Sequence, residues 1–163
     1  MTIYALSEFR KLSKKLPKFP DGRLNYKNSK KAVVLTVFVK FKGKILLLKR
    51  SNRVLTYKGY WNTVAGYYDE PKPLRKKALE ELKEETGISK KYVKSIKFGK
   101  MFRFHDKKIN KIWLVNPILI KLKKKPKIKI DFEHTKAIWI KPEEIKNYKI
   151  VPNLKLDLRK LFI

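Results

Sequence analysis

The stretch Lys31–Phe41 (KAVVLTVFVKF) constrains the fold most. Its β-branched and aromatic side chains favour extended backbone. Lys42-Gly43-Lys44 then offers a turn, and the apolar run resumes at Ile45 and ends at Arg50, so 31–50 reads as a β-hairpin. Downstream the period changes. Pro73 opens a segment in which Leu74, Ala78 and Leu82 recur at helical spacing, and Gly87 closes it, which predicts a helix over 73–86.

The other elements follow from the same signals. A basic amphipathic helix is read over 7–16, with Phe9, Leu12 and Leu16 aligned, followed by a turn through Pro17, Pro20, Asp21 and Gly22. A polar loop, 51–59, leads to a strand over 60–64; further strands are read over 93–104, 111–122 and 136–140. A basic turn occupies 123–127, and helices are read over 142–148 and 154–161. Strands, helix, strands, helix is the order of a mixed α/β (α+β) single domain, here 31–163, preceded by a basic N-terminal extension, 1–30. No internal repeat is evident. The 163 residues, 43% of them apolar, suffice for one real core.

The charge is lopsided. Lys and Arg number 43 against 14 acids, a formal net charge of +29. Such a field attracts polyanions and favours salt-dependent contact with nucleic acid, RNA included; a Lys-rich compositional bias is the competing explanation. The apolar runs 32–39 and 45–48 are too short to span a bilayer, so no membrane partner is expected. With no cysteine, thiolate catalysis, disulfides and Cys-based zinc sites are excluded, and a cytoplasmic location fits.

Six of the 14 acids lie between Asp69 and Glu85. On a helix turning ~100° per residue, Glu81, Glu84 and Glu85 share an arc of about 100° beside the Leu74/Ala78/Leu82 stripe. Glu80–Glu84 and Glu81–Glu85 are like-charged i, i+4 pairs, each unfavourable by a few tenths of a kcal/mol. Something must offset that repulsion. A hard divalent cation such as Mg²⁺ or Mn²⁺ is one answer. Neutralisation of a solvated helix face by Lys76, Lys77 and Lys83 is the other.

The segment from Gly66 to Ile88 resembles the Nudix box, G-x5-E-x7-R-E-U-x-E-E-x-G-U with U aliphatic, of the Nudix hydrolase superfamily. Gly66, Glu81, Leu82, Glu84, Glu85, Gly87 and Ile88 match in register. The hairpin with Leu46-Leu-Leu-Lys-Arg50, the Gly59-Tyr-Trp-Asn62 entry and Glu133-His134…Trp139 also look like the family. The resemblance implies a mixed β-sheet sandwiched between helices. It also implies attack of water on a phosphorus of a nucleoside diphosphate linked to another group, as in NTPs, ADP-ribose or dinucleoside polyphosphates. Carried over by position, Glu81, Glu84 and Glu85 are metal ligands, with the Ala65 carbonyl a further one; Glu81 serves instead as base in some members. Two box positions depart from the pattern: Lys72 stands where the family has Glu, and Glu80 where it has Arg. In the family this pair braces the loop against the helix, so the exchanged charges predict the same bridge reversed.

Outside the box, Glu133 is the leading candidate for a base or extra ligand, against a role as a cap or surface residue. Lys49 and Arg50 are candidates for holding phosphates. Tyr68, with Tyr67, Trp61 and Trp113, is a candidate for stacking a base, core packing being the alternative for each Trp. Trp139 is read as core, His134 as structural and His105-Asp106 as loop. Three function classes remain: hydrolysis of small nucleotides, hydrolysis at a capped or triphosphorylated RNA 5′ end, and non-catalytic RNA binding. The carboxylate trio argues against the third. An isomerase of isopentenyl diphosphate is disfavoured, because those enzymes use a catalytic Cys.

Overall fold

The computed structural model describes residues 2–162, with side chains over 4–161. β1 (Lys31–Phe41) and β2 (Lys44–Arg50) form the expected hairpin, and the turn between them has positive φ at both Lys42 (44°) and Gly43 (77°). That is the left-handed backbone that two-residue hairpin turns require. After two paired positions the strands part. The rest of β1 pairs on that side with β4 (Val64–Tyr67), Thr36 opposite Ala65 and Leu35 opposite Gly66, while β2 turns to β3 (Trp61–Asn62) and β8 (His134–Ile140). The other edge of β1 runs parallel to β7 (Lys111–Leu122), which in turn pairs antiparallel with β5 (Val93–Phe98) and β6 (Phe102–Asp106).

Alternation along the strands feeds two cores, one on each face. Val33, Leu35, Val37, Val39, Leu46 and Leu48 face a cluster shared with α1 (Thr2–Ser13) and α2 (Leu74–Thr86). Phe38, Ile45 and Leu47 face the other cluster, under α3 (Leu154–Phe162). The mixed sheet is thus sandwiched between helices. The segment read as an extension packs onto this domain: Ala5, Phe9, Leu24 and Tyr26 are buried in the first cluster. No helix among the described residues is long and apolar enough to cross a membrane.

Four expected elements differ. The helix near the N-terminus spans Thr2–Ser13 rather than 7–16. The strand read over 93–104 is two strands, because Pro117 of β7 has no N–H for the ladder and Gly99 bends in against it; a Cβ on Gly99 would stand 2.9 Å from Pro117 Cγ. The strand read over 60–64 breaks at Thr63, whose hydroxyl donates to the Val37 carbonyl at 2.6 Å, and resumes to Tyr67. The helix read over 142–148 is a 3₁₀ turn, Pro142–Asn147.

Candidate active site

The parting of β1 from β2 admits β4, and α2 lies beside it. Leu74, Ala78 and Leu82 anchor α2 in the core, and Gly87 (φ 72°) ends it with its N–H on the Lys83 carbonyl. The next stripe round the helix, Lys77, Glu81 and Glu85, is thereby turned towards the β4 backbone. Glu85 is 5% exposed, and the Ala65 N–H donates to its carboxylate at a long 3.4 Å. Glu81 lies against Gly66 so closely that a Cβ there would be 2.3 Å from its carboxyl carbon. Here glycine is demanded by close approach rather than by backbone angle. Glu84, one position before Glu85, is exposed.

Burial sets the electrostatics. Desolvation raises Glu81 to about 7, with Lys77 opposing and Glu84 adding to the rise. Desolvation also pushes Glu85 well up, reinforced by repulsion from Glu81, Glu133 and Asp131. Two lysines enter the acidic cluster. Lys77, nearly buried, stands 2.9 Å from Asp69 and 3.3 Å from Glu81; Lys72 stands 2.9 Å from Glu80 and 3.1 Å from Glu70. The reversed bridge between Lys72 and Glu80 is therefore formed.

These groups border a cleft of about 770 Å³, within the size range of small-molecule sites. Arg50, Glu133, Tyr67 and Trp113 line it, and the Arg50 guanidinium donates to the Thr56 carbonyl at 2.9 and 3.1 Å. Two candidates lie elsewhere. Tyr68 is 1% exposed, edge-on to Phe9 at 5.5 Å with its hydroxyl on the Lys72 carbonyl, so it cannot stack a base; Tyr67, one residue earlier on the opposite side of the strand, reaches the cleft. Lys49 alternates away from Arg50 in the same manner and lies over the Trp61 ring at 6.0 Å, outside the cleft lining. Trp61 packs on Tyr148. Trp139 is half-buried against Phe41 and the first core.

Several site groups escaped the sequence reading. Lys77, expected on a solvated face, is buried among the acids, and its i, i+4 spacing to Glu81 is the signal in the sequence that points there. His134 does more than pack: Nδ1 is 2.8 Å from Asp131 and Nε2 is 3.9 Å from Glu85, linking the buried carboxylate to a second acid. Asp106, expected in a loop, ends β6 and accepts the Tyr57 hydroxyl at 2.5 Å on the cleft wall. From α3, Asp157 accepts Thr36 at 2.9 Å and Asn153 at 2.7 Å, fixing two further lining residues.

Among the described residues no three acidic or imidazole side chains already converge to hold a metal. Glu81 is drawn to Lys77 instead, and Glu84 stands in solvent. The surroundings nonetheless fit a divalent ion. The donors are all oxygen, the absent side chain of Gly66 makes room for the Glu81 carboxyl, and Glu81 repels the buried Glu85.

A model of the NUDIX domain matches residues 29–160. No curated protein matches the chain. Among solved structures, the chain is similar to a MutT protein from Methanosarcina mazei Go1 (22% identity over 79% of this chain and 91% of that one, TM-score 0.64). It is also similar to an Ap4A hydrolase from C. elegans (24%, 80% and 93%, TM-score 0.60). A third is a bifunctional NMN adenylyltransferase/ADP ribose pyrophosphatase from Francisella tularensis, complexed with AMP and a Mn ion (18%, 94% and 44%, TM-score 0.62). At these identities the likeness shows the fold.

Proposed function

The chain belongs to the NUDIX family, and from that premise we propose that it hydrolyses the diphosphate linkage of a nucleoside diphosphate joined to a second group: an NTP, ADP-ribose or a dinucleoside polyphosphate. The observation that carries this reading is the pair of carboxylates, buried Glu85 and half-buried Glu81, held against the Ala65-Gly66 backbone at the wall of a nucleotide-sized cleft.

Glu81, Glu84, Glu85 and the Ala65 carbonyl would hold a divalent cation, Mg²⁺ or Mn²⁺, which when bound would neutralise phosphate oxygens and acidify water at the site. The chain's own groups do the rest. Arg50 has guanidinium N–H groups beyond the two engaged by Thr56, and these donate to a phosphate. Glu133 faces the same cleft and takes the proton of the attacking water, unless Glu81 does so. A P–O bond forms to that water as the bridging P–O bond breaks, and the leaving phosphate departs with the electron pair. Tyr67 and Trp113, with ring centres 6.2 Å apart, give a base an aromatic wall.

The net charge of +29 favours a second reading, in which the diphosphate belongs to a capped or triphosphorylated RNA 5′ end. One screen tests both: incubation with Mg²⁺ or Mn²⁺ and a panel of nucleotides and 5′-modified RNAs, with products identified by mass. A cleaved diphosphate in any small nucleotide supports the first reading, cleavage of RNA ends alone supports the second, and no cleavage by the folded protein removes both.

A further inference from the structure

Acids are absent from long tracts of this chain: none lies between Asp21 and Asp69, between Glu85 and Asp106, or between Asp106 and Asp131. Strands β1, β2, β5 and β7 and the turn 123–127 all fall in those tracts. Where these segments meet, at the hairpin end of the sheet, they leave a hollow of about 210 Å³ lined by Lys40, Lys42, Lys94 and Lys121. Lys40 and Lys121 are direct cross-strand neighbours, an arrangement of like charges that costs stability in a sheet. Lys94 is brought beside them where the register between β5 and β7 shifts. Lys42 projects from the left-handed turn. The basic turn continues the same surface, since the Lys123 N–H donates to the Tyr92 carbonyl and Lys124 lies 4.8 Å from the centre of the Tyr92 ring.

We propose that this lysine-lined end of the sheet is a binding surface for the sugar-phosphate backbone of a single-stranded nucleic acid, separate from the catalytic cleft. Lys42, Lys94, Lys121 and the basic turn place several ammonium groups on segments that contain no carboxylate, and such a row attracts a chain of phosphates. The two sites stand apart: Thr36 lines the cleft and Lys40 the hollow, about 13 Å along β1. Between them Phe38 is sealed under α3. The surface therefore holds a strand without occupying the site where diphosphates are cleaved, and it stands or falls independently of the substrate assigned to that site.

The test is titration of a labelled single-stranded RNA of about ten nucleotides at several salt concentrations. Wild type is compared with the triple variant K42Q/K94Q/K121Q and with K136Q/K146Q/K155Q, a control of equal charge change on β8, the 3₁₀ turn and α3. Each lost phosphate contact removes about 0.7 from the slope of log affinity against log salt, so the first variant is expected to flatten it by about 2. The control is expected to keep the wild-type slope, and both variants should hydrolyse a mononucleotide at the wild-type rate. Equal slopes in the two variants would mean that only the overall charge acts, and overturn the surface. Tighter binding of a duplex of the same length, or equal competition by free tripolyphosphate at matched phosphate, would overturn the single-strand assignment.

Discussion

Lys72 and Glu80 face each other at 2.9 Å with their charges in the reverse order of the Nudix-box pattern. The brace between the β4–α2 loop and the helix is thus retained with its polarity inverted. Side-chain exposure of 21% and 34% keeps the pair partly screened, and Lys72 also reaches Glu70 at 3.1 Å. K72E is expected to place three carboxylates together and to lower both thermal stability and turnover; adding E80R should restore most of each. A double-mutant cycle on melting temperature and kcat/KM measures the coupling, expected near 1 kcal/mol. Strictly additive effects would show that the contact carries no energy.

This pair was legible in the sequence because two departures at box positions pointed at each other. The central hairpin, α2 and both core stripes were legible for a similar reason, since local period and turn residues agree. What was not legible depended on partners distant in sequence. Tyr67 and Tyr68 are alike in composition, and only the register Val34–Tyr67 decides which ring meets the cleft. The break between β5 and β6 needs Pro117 to lie opposite Gly99. Lys77 looked like a solvated charge until Asp69 folded back over it.

Gly66 tests the close approach. With a Cβ 2.3 Å from the Glu81 carboxyl carbon, G66A must push that side chain away or open β4 from α2. Turnover is expected to fall by about a hundredfold or more, with a smaller loss of melting temperature. Wild-type kcat in a folded G66A protein would remove Glu81 from the reacting centre.

Glu84 and Glu85 differ in burial, and that separates their variants. E84Q and E85Q are both expected to reduce hydrolysis by orders of magnitude at limiting Mg²⁺. Only E85Q should also stabilise the metal-free protein, because it removes a carboxylate that burial and three acidic neighbours disfavour. Full activity in either variant would exclude that residue from the site, and unchanged stability of metal-free E85Q would contradict the burial argument.

Lys77 acts as a resident cation in the carboxylate cluster, 3.3 Å from Glu81. A divalent ion must share Glu81 with it. K77M keeps the apolar stem but removes the ammonium, so Asp69 and Glu81 lose a partner and the metal-free protein should melt lower. Mn²⁺ affinity, measured by calorimetry, is expected to rise about tenfold, equivalent to 1.4 kcal/mol. Unchanged or weaker Mn²⁺ binding would mean that Lys77 supports the metal-bound arrangement rather than competing with it.

The last prediction concerns pH. Burial raises Glu81 from 4.5 to about 7 in the folded protein, and Glu85 shifts in the same direction. A carboxyl raised on folding binds its proton more tightly in the native state, so below the unfolded value of 4.5 it imposes no penalty. As pH climbs from there through about 7, the unfolded chain ionises first and native stability falls. Asp157, buried on the inner face of α3 and raised to about 7 by desolvation, adds to the same slope. The metal-free protein is therefore expected to lose a few kcal/mol across this window. Saturating Mg²⁺ stabilises the ionised forms of Glu81 and Glu85 but cannot reach Asp157, so it should remove most, though not all, of the decline. Melting curves at stepped pH, with chelator and with Mg²⁺, measure both slopes. A metal-free protein that gains stability as pH rises through this window would contradict the buried-carboxylate account of the site.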